Sequence, residues 1–171
     1  DEHDNIVRRF KHTNTDAAAA YVEDVYRDAH GRITAKAEGR FANVADTHAD
    51  NADNANLRYS YDALDRLVQV EQGPAGVTPR VTSYQYDSAD NLIAVTDPDG
   101  RVTSYLYNDF GELIAVKSPD SGITKYRYNA LGQLIRAAYA DGRVTTFSYD
   151  ELGRPTERQD TKNASVIART M

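Results

Sequence analysis

The chain has 171 residues, 40% of them hydrophobic, with a net charge of −6 at pH 7 and no cysteine. The missing cysteine excludes disulfides, thiolate metal sites and a thiol nucleophile, and the scattered Lys and Arg residues exclude a basic nucleic-acid-binding surface. No apolar run approaches the roughly 20 residues that span a bilayer, and no signal-like segment opens the chain.

Tyrosine, at 12 residues, outnumbers phenylalanine at 4 and tryptophan at 0. Such amphipathic aromatics suit a sheet with one face in water. In chain order, DEHDNIVR (1–8) reads as the tail of a worn repeat. TDAAAAYVEDVYRDA (15–29) is compatible with a capped amphipathic helix, but the turn DAHG follows where a hairpin would place it, and the repeat register favours a strand through residues 21–27. DAHGRITA (28–35) is a second worn copy. The stretch ADTHADNADNAN (45–56) is read as a solvated, mobile insertion, because it lacks the turn glycine and closing Glu of a calcium loop. The four histidines, His3, His12, His30 and His48, show no zinc-ligand spacing and are read as surface residues.

A regular pattern then takes over: YSYDALDRLVQV from Tyr59, YQYDSADNLIAV from Tyr84, YLYNDFGELIAV from Tyr105, YRYNALGQLIRA from Tyr126 and FSYDELGRPTER from Phe147. The starts are 25, 21, 21 and 21 residues apart. Between copies stand DPDG (97–100), SPDSG (118–122) and ADG (140–142), so each unit holds two turn signals and two short runs rich in Val, Ile, Thr and Tyr. That is the spacing of consecutive antiparallel strands. The final SVIAR (165–169) reads as one strand of a further repeat.

Alternation in RVTSYLY (101–107) puts Thr103, Tyr105 and Tyr107 on one face and Val102, Ser104 and Leu106 on the other. The tyrosine side recurs in every copy, so Tyr59, Tyr84, Tyr105, Tyr126 and Phe147, with Tyr61, Tyr86, Tyr107, Tyr128 and Tyr149, are expected to form two structural ladders. The Asp or Asn after the second tyrosine (Asp62, Asp87, Asn108, Asn129, Asp150) is expected to bond backbone NH groups of the turn. Gly100, Gly111, Gly122, Gly132, Gly142 and Gly153 are expected to take positive φ. Asp65 and Asp90 replace glycine in two copies and tolerate that geometry better than most residues.

YxY(D/N)xxGxL(I/V) with DG-type turns between copies resembles the Rhs or YD-repeat family, clearly over 57–158 and weakly over 1–38. The resemblance implies an all-β spiral of stacked antiparallel hairpins of about 21 residues, a partial shell. Related bacterial toxins use longer arrays as a hollow shell around a toxic C-terminal domain, and teneurins carry a similar shell in a cell-surface adhesion protein. It also implies a secreted or cell-surface location. Three regions are expected: worn repeats with the polar insertion over 1–56, regular repeats over 57–158, and the start of a further repeat over 159–171.

About fourteen strands at ~4.8 Å spacing make a sheet on the order of 67 Å wide, which closed on itself is only about 21 Å across. A 100-residue domain, with a radius of gyration near ~13 Å, does not fit inside. The chain is therefore expected to be a wall segment rather than a container. No GxSxG elbow or other catalytic constellation is present, and DPDG occupies an ordinary turn slot with Pro at its second position. No enzymatic role, cofactor or metal is expected. The expected partners are the remainder of a repeat shell and, through unpaired strand edges, another copy of the chain, with glycan binding by the aromatic face as the alternative.

Overall fold

The computed structural model describes residues 7–11, 20–42, 55–74, 76–163 and 165–170. All regular structure among them is β-strand, and the chain divides into two compact units, 1–83 and 84–171. The boundary falls inside a strand.

Unit 1 contains β1 (Val7–Lys11), β2 (Ala20–Arg27), β3 (Ile33–Ala42), β4 (Leu57–Tyr61), β5 (Leu67–Gln72) and most of β6 (Arg80–Tyr86). Each strand pairs antiparallel with the next along the chain. The stretch that was compatible with a helix is strand β2, because pairing with two neighbours outweighs the local preference of its alanines. Residues 45–54 of the polar insertion, with His48, lie outside the described residues, as do His3 and His12. Ala55, at the end of that insertion, is fully buried with Tyr26, Ala35 and Ala37, so this end of the stretch belongs to a core and not to solvent.

Unit 2 contains the end of β6, then β7 (Leu92–Thr96), β8 (Val102–Tyr107), β9 (Leu113–Ser118), β10 (Gly122–Tyr128), β11 (Leu134–Ala138), β12 (Arg143–Tyr149), β13 (Pro155–Lys162) and β14 (Ser165–Thr170). From β7 onward each strand again pairs antiparallel with its successor. The fold class is all-β, a series of tandem antiparallel hairpins.

The two faces of these strands differ as the alternation requires. In β10, Thr124 is buried and Tyr126 and Tyr128 are half-buried, while Ile123, Lys125 and Arg127 are exposed. The row Tyr126, Ala137, Thr145, Asp160 crosses four strands on the tyrosine side, and its buried members, Ala137 and Thr145, are small. Thr145 donates its hydroxyl proton to Asp160 at 2.6 Å, which satisfies a polar group that burial would otherwise penalise.

The register corrects one detail of the ladder. A returning strand separates successive tyrosine strands, so Tyr59 faces Val70, Tyr105 faces Val116, Tyr126 faces Ala137 and Phe147 faces Arg158. Aromatic rings alternate with these residues instead of meeting ring to ring across adjacent strands.

A β-bulge recurs at one point of the hairpin. The register slips at Tyr26/Arg27, Ser60/Tyr61, Leu106/Tyr107, Arg127/Tyr128 and Ser148/Tyr149, leaving Thr34, Val68, Ile114, Ile135 and Thr156 as the extra residue on the returning strand. Strict alternation would send the consecutive apolar pair Leu-Ile to opposite faces, and a bulge re-aims one member. Both Leu113 and Ile114 are half-buried.

Candidate functional site

The chemistry of the chain is concentrated where each hairpin turns. Asp62 shows the arrangement: its NH donates to the carbonyl of Arg66 and its own carbonyl accepts from the NH of Asp65, closing a three-residue loop. The Oδ1 of Asp62 accepts from the NH groups of Leu64 (2.9 Å) and Arg66 (3.0 Å). The other oxygen, Oδ2, accepts from Nε of Arg66 at 2.7 Å. One side chain thus ties the second loop residue, the closing residue and the closing side chain together.

The same scheme holds at Asp28, Asp87, Asp97, Asn108, Asn129 and Asp150. The partner four residues on follows the chemistry of the capping residue. Asp28, Asp97 and Asp150 accept from Arg32, Arg101 and Arg154, and Asp87 accepts from the carboxamide of Asn91. Where the cap is Asn, its Nδ2 donates to an acceptor: Glu112 for Asn108 and Gln133 for Asn129, both at 2.6 Å. A carboxylate can only accept, whereas a carboxamide also donates, so the partner switches from donor to acceptor. This matching is written in the sequence as the pairs D…R, D…N, N…E and N…Q four apart, a signal the motif reading passed over.

The carboxyls of Asp62, Asp97 and Asp150 are held below the usual carboxylate range, first by the backbone NH of the residue four on and then by that residue's side chain, which at Asp97 ranks after the NH of Asp99. At Asp28 burial works the other way and the Arg32 interactions outweigh it.

The third loop residue takes positive φ. Gly111, Gly132 and Gly153 lie at 76°, 75° and 78°, and Asp65 and Asp90 occupy the same slot at 63° and 65°. Gly100, Gly122 and Gly142, in the turns between copies, lie at 78°, 72° and 83°. Gly153 has a second constraint, since a Cβ there would stand 3.0 Å from Nε2 of Gln133 in the preceding hairpin. That same Nε2 donates to the carbonyl of Gly153 at 3.3 Å, so the closing side chain of one turn rests on the next. In unit 1, Arg32 plays this part by pairing with Asp65 and lying over the Tyr61 ring, 5.0 Å from its centroid.

The second tyrosine links hairpins through its hydroxyl. Tyr61 donates to the carbonyl of Ile33 (2.8 Å), Tyr128 to Leu113 (3.0 Å) and Tyr149 to Leu134 (2.9 Å). Each acceptor immediately precedes the bulged residue of the hairpin before, so an aromatic side chain grips the backbone where the ladder is interrupted. Burial pushes the Tyr61, Tyr107 and Tyr128 hydroxyls up, which keeps the proton that such a bond needs. The first tyrosine position carries Phe147 in one regular copy, whereas Tyr61, Tyr86, Tyr107, Tyr128 and Tyr149 fill the second in all five regular copies.

Asp97, Pro98, Asp99 and Gly100 form a tight turn of the same kind, with the NH of Gly100 donating to the carbonyl of Asp97 at 2.9 Å. Arg101 pairs with Asp97 and reaches Asp120 of the next turn on that edge at 3.0 Å. Among the described residues no group of three or more His, Asp or Glu side chains is placed to hold a metal ion. No helix among them is long and apolar enough to cross a membrane.

The repeated turn, bulge and tyrosine clamp agree with a family description. The teneurin YD-shell model matches residues 10–167. The chain belongs to the teneurin YD-shell family. No curated protein matches this YD-shell chain. Among solved structures it is similar to a Photorhabdus luminescens Tc holotoxin pore, with 16% identity and a TM-score of 0.55 over 85% of this chain. It is also similar to TcdB2-TccC3 without the hypervariable C-terminal region, at 17% identity and a TM-score of 0.55 over 87% of this chain. A third similar structure, TcdB2-TccC3-Cdc42, matches at 17% identity and 0.55 over 91%. The YD-shell segment spans 9% of the length of each of these chains. At such identities the likeness concerns the fold.

Proposed function

We propose that this chain is a non-catalytic wall segment of a larger YD-repeat shell that encloses or presents an effector domain, in a secreted or surface-displayed protein. The observation that carries the reading is the family match over 10–167 by a chain that spans 9% of the structures it resembles. The physical organisation supports it. The side chains with directed polar chemistry are spent on closing turns and gripping the neighbouring hairpin, which is the work of a wall.

The test is made on the intact polypeptide that contains these residues. Deleting one repeat, residues 105–125, is expected to admit protease to the enclosed domain, which the undeleted protein shields. Equal protection before and after deletion overturns enclosure. A coding sequence limited to these residues overturns the reading as a whole.

A further inference from the structure

Cations that stand apart along the chain are gathered by the register onto one face of unit 2. Lys117 pairs with Ser104 and Ile123, Lys125 with Ala115 and Ala138, and Arg127 with Arg136, all on the side turned away from the tyrosines. Carboxylates collect elsewhere. Within the strands of unit 2 only Glu157 and Asp160 are acidic, and the other acids lie in the turns. Asp160 is on the tyrosine side, bonded to Thr145, and Glu157 is taken by Arg169. Lys117, Lys125, Arg127 and Arg136 therefore have no carboxylate partner among the described residues.

Nothing within the sheet favours this grouping. Arg127 and Arg136 stand directly opposite on adjacent strands, where like charges are destabilising. Lys125 lies two residues before Arg127 on the same face, about 7 Å away. A cluster of unpaired cations in a chain whose net charge is −6 marks a surface completed by an anion from outside. The same face exposes Val102, Leu106 and Ile123, at 45%, 58% and 45%. Leu106 shares a row with Lys125 across Ala115, and Ile123 stands opposite Lys117, so aliphatic and cationic side chains interleave.

We infer that this face of unit 2 docks on an anionic lipid bilayer, with the four cations at the headgroups and Leu106 and Ile123 entering the boundary between headgroups and acyl chains. A linear polyanion satisfies the cations but leaves the aliphatic side chains in water. Stacking on its bases is closed to this face as well, because the repeat tyrosines lie on the opposite side. A bilayer answers both halves of the surface. It also requires no directed recognition groups, which the chain concentrates in its turns.

Co-sedimentation of the full chain with vesicles of phosphatidylcholine and phosphatidylserine, in a ratio of about 7:3, is expected to show binding that vesicles of phosphatidylcholine alone do not support. Rising salt is expected to weaken it steeply. Each Lys or Arg at such a surface strengthens partition about fivefold, so the combined variant Lys117→Gln, Lys125→Gln, Arg127→Gln, Arg136→Gln is expected to lower it by about a hundredfold or more, with an unchanged β circular-dichroism spectrum. Arg101→Gln with Arg154→Gln removes two cations that already pair with turn carboxylates and is expected to leave binding close to that of the parent chain. The cysteine-free chain allows a second readout that does not depend on the fourfold variant: Leu106→Cys carrying an environment-sensitive fluorophore is expected to shift to the blue on the anionic vesicles and not on the neutral ones. Absence of partition into anionic vesicles at low salt overturns the proposal. So does full binding by the fourfold variant, an equal loss in the Arg101 and Arg154 variant, or an unshifted label at position 106. Binding to heparin or duplex DNA with the vesicles left bare makes the partner a linear polyanion and overturns it too.

Discussion

Unit 1 and unit 2 carry the same hairpin and stabilise it by different means. At residues 28–32 the turn cap, the Arg partner and the bulge are all present, yet the position of the second tyrosine holds Arg27, and the aromatic residue has moved one place back to Tyr26. One residue in a strand is a change of face. Tyr26 therefore points opposite to the tyrosine side of the regular copies and lies, 1% exposed, in a core with Ala35, Ala37 and Ala55. Among the described residues of unit 2 no aromatic is so deeply buried; the tyrosines are half-buried, and the buried side chains are Thr124, Ala137 and Thr145. A worn repeat leans on an apolar core, and a regular one on directed bonds repeated down the chain.

The largest effect that would break this contrast is removal of Tyr26. Tyr26→Ala is expected to destabilise unit 1 by about 3–5 kcal/mol, as for other buried aromatics. Denaturant unfolding followed by amide signals should show the 57–74 region melting early while those of 122–149 keep their midpoint. A uniform shift of both regions would mean that the two units do not rest on separate supports.

Next in size is Gly122→Ala. A Cβ at this position, where φ is 72°, would stand 2.6 Å from Cβ of Ala140. The left-handed backbone costs about 1–2 kcal/mol and the overlap a further ~1–3 kcal/mol. A midpoint change corresponding to less than ~1 kcal/mol would show that this turn relaxes freely. Gly100→Ala, with open space around the added methyl, is expected to show the backbone cost alone.

The hydroxyl clamp is a smaller and sharper test. Tyr128→Phe removes the bond to the Leu113 carbonyl and is expected to cost about 1 kcal/mol. Tyr126→Phe, at the position where the chain itself uses Phe147, is expected to cost only a few tenths. Equal effects would mean that the second tyrosine contributes by packing alone.

Much of this was legible in the sequence because the repeat imposes it. Strand positions, the tyrosine side and the left-handed slot follow from a period of 21 residues and from the identity of residues such as Gly132. The bulge was not read from the motif, although Leu113-Ile114 and Leu134-Ile135 break the two-residue alternation at that very place. Pairing of the cap with the residue four on was also visible in principle, since Asn108 meets Glu112 and Asp150 meets Arg154. The face switch of Tyr26 was harder to see: a one-residue shift looks like wear in a motif, and only the register reveals its consequence. The hydroxyl clamp could not be read at all, because its acceptors are backbone carbonyls of another hairpin and carry no side-chain signature.

The donor–acceptor code of the turns gives a test by exchange. Asn108→Asp places a carboxylate against Glu112 and deletes the Nδ2 donor, and Glu112→Arg should restore the pair in the form used at Asp150. A double-mutant cycle over these two substitutions is expected to give a favourable coupling of about 0.5–1 kcal/mol between the new carboxylate and the new guanidinium. Zero coupling would reduce the code to coincidence.

The smallest effect is one of pH and separates Asp turns from Asn turns within one molecule. The folded-state carboxyls of Asp62 and Asp150 lie below their unfolded value of about 3.9. Their contribution is therefore complete above that value and is lost as pH falls through the depressed folded value, because the unfolded chain then binds the proton first. Asn129 and Gln133 do not titrate. On acidification below about pH 4, the NH signals of Leu64, Arg66, Leu152 and Arg154 are expected to shift as their carboxylate acceptors protonate, while those of Leu131 and Gln133 hold still. Parallel shifts in all three turns would show that acid acts on the sheet as a whole, and that the turns do not titrate one by one.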